Sequence, residues 1–196
     1  MYGYLYLLFT TFPTVFQSQY GFSTNSVGLS YLGLGVGLLL GLGVYGFLSD
    51  RIQVARTEKS GVSKPEYRLA TMSYGAPWIP IGLFWYGWAA ENHTHWIVPI
   101  MGTCLFAIGL VATYMPAVTY IVDGFTEYAA SALAATTVFR SVLGAVLPLG
   151  GESMYRTLGL GWGNSLLAFI AVALIPIPMV FQRYGEGLRK RFDVKL

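Results

Sequence analysis

Along this chain, apolar positions gather into six long uncharged stretches separated by short polar breaks: Met1 to Phe16, Val27 to Leu48, Leu69 to Ala90, Trp96 to Val122, Tyr128 to Gly150 and Trp162 to Phe181. A hydrocarbon core of about 30 Å takes about 20 helical residues, so five of the six are long enough to cross it. Met1 to Phe16 would rise only about 24 Å as a helix, short of that thickness. No Lys or Arg precedes it and no small-residue cleavage site follows it, which argues against a signal peptide. The chain therefore reads as starting inside a helix, as a fragment or truncated gene model of something longer. The other reading runs the span on to Tyr20 with Pro13 as a kink. The expected fold is an all-α membrane protein with six transmembrane helices over 1–183, including a 49–68 loop, and a basic tail over 184–196.

If the spans alternate in direction, the basic residues sort to one side. That side holds Arg51, Arg56, Lys59, Lys64 and Arg68 in the 49–68 loop, the short loop at Asp123, and Arg183, Arg189, Lys190, Arg191 and Lys195 in the tail. The opposite connections contain only Arg156. The positive-inside rule makes the basic side cytoplasmic. The net charge of +3 is thus a topology signal and calls for no nucleic-acid partner. At 55% hydrophobic and 11% charged, the composition sets soluble domains aside, since these carry about 25% charged residues. Trp85, Trp88, Trp96 and Trp162 flank the other side, where indole rings favour the headgroup layer, while Trp78 sits deeper. The single cysteine, Cys104, allows no intrachain disulfide and reads as a packing residue.

Gly33, Gly37 and Gly41 recur every four residues in the second span, a face on which another helix can pack closely. Gly41 to Gly46 also matches the dinucleotide fingerprint, but that motif needs a preceding strand, and here it closes a hydrophobic segment. Prolines at 13, 77, 80, 99, 116, 148, 176 and 178 lie in or beside spans, which suits helices that bend. Arg140 lies near the middle of the fifth span, with Thr137, Ser141 and Gly144 on its face. A guanidinium there costs at least about 2.5–3.5 kcal/mol, so it should face protein or a watery cavity. Asp123, Glu127 and Glu152 are too distant along the axis to pair with it. Its partner is a carbonyl, a tyrosine, a substrate, or a carboxylate elsewhere, and both a ligand role and a structural hub stay open. Tyr2, Tyr6, Thr10, Thr14 and Gln17 form a second polar stripe that either lines a path or bonds a neighbouring helix. Glu91, His93 and His95 make a weak metal constellation without a fourth ligand, and Asn92-His93-Thr94 is a sequon in a short loop. No nucleophile elbow, His-Glu-x-x-His or paired carboxylate suggests an enzyme, and no cofactor is expected.

Gly46-Phe47-Leu48-Ser49-Asp50-Arg51, followed by Arg56, resembles the G-x-x-x-D-R loop signature of the major facilitator superfamily. Tyr31 to Gly35, Pro65 to Leu69, Pro80 to Trp88 and Leu158 to Leu167 resemble the C-terminal half of fungal drug:proton antiporters with twelve spans. The resemblance covers essentially the whole chain and makes its spans the seventh to twelfth, with the start of the seventh lost. It implies a transporter that rocks two six-helix bundles about a midplane site. By the same resemblance the first and fourth spans line the path, favouring Tyr6, Thr10 and Gln17, and Thr113 and Tyr114. Thr137 and Arg140 join them from the fifth span. Asp50 would dock on a helix N-terminus of the opposite half. Arg51 would pair with Asp123, and with Gly46 these residues form a gate. The antiporter signature and any proton-accepting carboxylate of the absent half are not in these residues, so proton coupling is an inherited expectation. The tail, Arg183 to Arg189, lacks the pattern of sugar porters.

The expected function is proton-coupled export of drugs, toxins or polyamines by alternating access, with the bilayer, a small-molecule substrate and a missing N-terminal half or a second copy as partners. The expected location is the plasma membrane. The alternative is a six-span protein without transport activity, acting as a structural or assembly partner.

Overall fold

The structure, a computed structural model, describes residues 2–60 and 67–191. Among these every regular element is a helix: α1 (Tyr2–Tyr20), α2 (Leu32–Ser60, entered by a 3-10 turn at Val27–Tyr31), α3 (Arg68–Gly75), α4 (Trp78–Glu91), α5 (Ile97–Phe125), α6 (Ala129–Leu174) and α7 (Pro176–Arg191). Three stretches, Val27–Glu58, Ile97–Phe125 and Ala129–Arg183, are long and apolar enough to cross a membrane. The last is more than twice the length one crossing needs, and α6 does not run straight. Its Gly159 has φ +74° and ψ 176°, a conformation that essentially only glycine adopts. The Tyr155 hydroxyl bonds Asn164 nine positions on, at 3.1 Å, which a straight helix would hold about 13 Å away along its axis. The chain folds back at Gly159, and α6 supplies two passes.

Close approaches at glycines give the direction of every pass. Gly33, Gly37 and Gly41 abut Ile100, Cys104 and Ile108, so α2 and α5 run parallel. Gly82 meets Phe106 and Gly109 meets Ile79, so α4 opposes α5. Gly3 meets Leu147 and Leu7 meets Gly151, so α1 runs parallel with the first half of α6. Phe84 stacks edge-on to Phe169 and Trp88 to Trp162, so α4 opposes the second half of α6. These pairings are mutually consistent only if six passes alternate, with α3 and α4 forming one pass bent at Ala76–Pro77. Phe12, Phe16, Leu34, Leu83, Tyr86 and Phe106 fill the shared core. In lipid such packing is driven by close contact more than by apolar burial, which is why small residues recur at each crossing.

At the helix ends the structure decides between two readings at α1 and departs from the sequence reading at 49–60 and 151–158. α1 extends to Tyr20 with Pro13 inside it, as in the longer of the two readings. Pro13 cannot donate to the Phe9 carbonyl, and the Tyr31 hydroxyl does so at 2.9 Å. Residues 49–60, expected as loop, continue α2, because nothing between Phe47 and Ser60 is Gly or Pro and most are good helix formers. Residues 151–158, also expected as loop, continue α6 up to the break. The rest of the 49–68 loop, 61–66, and the tail end, 192–196, lie outside the described residues; α7 takes the start of the tail into a helix.

Candidate functional site

Arg140 is held where α1, α5 and α6 meet. Its Nη1 donates to the Tyr114 hydroxyl at 2.6 Å. The guanidinium carbon stands 4.3 Å from the Tyr2 ring centroid and 5.5 Å from that of Tyr114. The two rings meet edge to face at 4.9 Å, so they brace each other around the charge. Both contacts favour a cation, since ring faces are electron-rich. Neither neutralises it, and among the described residues no acidic side chain lines the space beside it. That space is a cavity of about 460 Å³ walled by Tyr2, Gly3, Ala135, Thr136, Phe139, Leu143 and Leu147. Of the partner types open from sequence, the structure supplies a tyrosine.

The neighbouring sequence candidates divide. Tyr6 packs its ring against Gly144 and stays 44% exposed one turn from Tyr2. Thr10 and Gln17 are exposed further along α1, and Thr10 bonds its own Leu7 carbonyl at 2.9 Å. Thr113, expected on the path, is instead fully buried and bonded to the Gly109 and Leu110 carbonyls, because its face of α5 turns into the bundle. Thr137, expected beside Arg140, bonds the Leu133 carbonyl outside the cavity wall; Thr136, one turn before Arg140, takes its place. Thr136 was the polar lining residue missed at this site, and Tyr2, named in the α1 stripe, was not set beside Arg140. Spacing of three or four from Arg140 fits both threonines, so spacing alone does not separate them.

At the C-terminal end of α5 the expected pairing of Arg51 with Asp123 does not form. Arg68 Nε donates to Asp123 Oδ2 at 2.6 Å. The reason is register: Gly75 lies on Ala112 in the antiparallel α3–α5 pair, which brings the start of α3 to the end of α5. The Tyr45 hydroxyl bonds Thr119 at 3.1 Å beside it, tying α2 into the same end. Arg51 lies on the exposed side, its guanidinium 4.1 Å over the Phe47 ring one turn back. Asp50 is exposed in a shallow groove with Gln53, Val54, Thr57 and Glu58, and Gly46 faces open space. Gly33, Gly37 and Gly41 bear directly on α5, and a Cβ on Gly41 would stand 2.9 Å from Val111.

The far loop corrects the metal constellation. Glu91 does not group with His93 and His95; its carboxylate accepts from the Leu160 N–H at 2.7 Å and the Gly161 N–H at 3.2 Å. Those are orphan donors at the start of the last pass, where the helix dipole favours an anion. The sequon is engaged in ending α4, with Asn92 Nδ2 on the Trp88 carbonyl at 2.8 Å and Thr94 on the Ala89 carbonyl at 2.9 Å.

The chain is 58% identical to the MFS-type transporter tndD of Aspergillus flavipes, over 98% of this chain and 37% of that protein. It is 60% identical to the MFS-type transporter atr4 of Stereocaulon alpinum, over 97% of this chain and 34% of the relative. With the MFS transporter prlG of Fungal sp. (strain NRRL 50135) it shares 54% identity over 99% of this chain and 41% of the relative. The chain thus spans well under half the length of the curated relatives it matches. No protein-family profile matches it. No solved structure matches it.

Proposed function

We propose, on the premise that this multi-pass all-α membrane protein folds as one six-helix half of the major facilitator superfamily, that it moves small molecules across a membrane by alternating access. It does so with a second six-helix half, in the same polypeptide or from a second copy. The observation that carries this reading is Arg140, a charge set at mid-span beside an open cavity and held, among the described residues, by Tyr2 and Tyr114. A cation that only packed helices together would be a costly way to do so in hydrocarbon. Tyr6, Thr10 and Gln17 on α1 and Tyr114 on α5 continue the path on either side of it.

The transport is export of drugs or toxins, coupled to protons through groups on the facing half; an unneutralised cation on the path disfavours polyamines. The basic side, with the 49–68 region and the C-terminus, is cytoplasmic in the plasma membrane. Gly46, Asp50 and Arg51 in the interior of α2, with Asp123 held by Arg68, form the cytoplasmic gate. The test is uptake of fluorescein and rhodamine 6G into inside-out vesicles carrying the natural polypeptide that contains this chain. Accumulation of either dye above empty vesicles, abolished by a protonophore, is the expected result. Equal uptake with and without the protein, at normal abundance, overturns the reading.

A further inference from the structure

We infer that the Arg140 cavity selects amphipathic organic anions: molecules with one ionised acid, a carboxylate or acidic enol, on an apolar, largely aromatic body. This rests on the transport reading for its biological setting but on geometry for its chemistry. A guanidinium offers five N–H donors in a fork, and one of Arg140's is taken by the Tyr114 hydroxyl. The Tyr2 face covers it without accepting a conventional hydrogen bond. Among the described residues Arg140 has no salt bridge, so its charge is met by neutral groups only. The donors that remain suit a planar acid, which a guanidinium grips in bidentate fashion.

The remaining wall decides the rest of the ligand. Gly3, Ala135, Phe139, Leu143 and Leu147 are apolar, and Thr136 is the one hydroxyl beside them, apart from that of Tyr2. About 460 Å³ lies within the range of small-molecule sites, which place a few oriented polar groups in a hydrophobic setting. The opening at Gly3 matters, because any side chain there would run into Leu147 and close the cavity beside α1. A cationic ligand would meet an unscreened like charge. A neutral one would leave the guanidinium's free donors unpaired once water is displaced, a cost specific to ligands without an acid.

The test uses the natural polypeptide containing this chain in lipid nanodiscs, with tritiated 1-naphthylacetate as probe and 1-naphthylacetamide and 1-naphthylmethylammonium as competitors. The acid should bind about ten- to a hundred-fold more tightly than the amide, the worth of one charge-assisted contact, and the ammonium should compete least. Arg140→Gln should erase the acid-over-amide ratio by weakening acid binding. Arg140→Lys should keep part of the ratio, since the charge stays and the fork is lost. Equal binding of acid and amide to the unmodified protein overturns the inference, as does a ratio that survives Arg140→Gln. If the glutamine variant does not fold, the unmodified ratio and the lysine variant still decide. Dye uptake without an acid preference would sink this inference alone, and an acid preference without any uptake would sink the transport reading alone.

Discussion

Replacing Gly159 with alanine tests the hinge that turns α6 back on itself. Two costs combine there. The backbone at φ +74° and ψ 176° lies where a residue with a Cβ is strained by about 1–3 kcal/mol. The new Cβ would also stand 3.0 Å from both carboxylate oxygens of Glu91, pushing them off the Leu160 and Gly161 donors. Losing that cap costs about 1–2 kcal/mol, so the total is about 2–5 kcal/mol. At about 2–4 °C per kcal/mol for a chain of this size, Tm in detergent should fall by roughly 4–20 °C. Cys104 is this chain's single cysteine, free and half-buried in α5, so in the natural polypeptide with any other cysteines replaced its reaction with a fluorogenic maleimide on heating reports loss of the bundle from one site. Glu91→Gln should lower Tm by less, because the amide oxygen still accepts. The double variant should fall short of the sum, since both changes act on one cap. A Gly159→Ala protein melting within about 1 °C of the unmodified one would refute the account of the turn.

Three further outcomes follow from the packing. Gly37→Ala places a methyl against the Cys104 carbonyl and should cost about 1–3 kcal/mol, whereas Gly43→Ala meets nothing and should gain about 0.5–1 kcal/mol from helix propensity; the same melting assay separates them. Asp123→Asn removes the partner of the half-buried Arg68 and should destabilise by about 1–2 kcal/mol, while Arg51→Ala should change stability by less than about 0.5 kcal/mol; equal effects would return the gate pairing to Arg51. Tyr31→Phe should cost about 1 kcal/mol by stranding the Phe9 carbonyl, and much less in a Pro13→Ala background, where the helix N–H recovers that carbonyl; a double-mutant cycle measures the difference.

The apolar runs located every pass, because a crossing length of uncharged residues has few alternatives in a chain this hydrophobic. Where each helix stops was less legible. Asp50 and Arg51 look like loop residues by polarity, yet polar side chains on a helix that leaves the bilayer cost nothing, and no Gly or Pro ends α2 there. The turn between the last two passes was sought over eleven residues and occupies one, because Gly159 reverses the chain without a loop; the glycines from 159 to 163 were its only local signal. Arg140 could be picked out because a lone charge in hydrocarbon needs a reason. Its partner could not be chosen, since Tyr114 reaches it only through the α5–α6 crossing. Glu91 was legible as an acid beside two histidines, but its true partners, the N–H groups of Leu160 and Gly161, are backbone atoms that no side-chain pattern announces. The Arg68 pairing likewise depends on the α3–α5 register and not on the motif that drew attention to Arg51.

The parallel pairing of α1 with the first half of α6 sets a schedule for biogenesis. The face of α1 that packs on Leu147 and Gly151 leaves the ribosome on the order of 140 residues before its partner, a wait of about 7–28 s at ordinary synthesis rates. The gap left by Pro13 is closed much sooner, because Tyr31 is only one hairpin away. The nascent first helix is therefore shielded early at its one broken backbone bond and left open along its tyrosine face. Over that interval Tyr2 and Tyr6 lack the Arg140 and Gly144 face they meet in the folded chain. A lesion in the fifth pass would then be felt first as prolonged retention of the first.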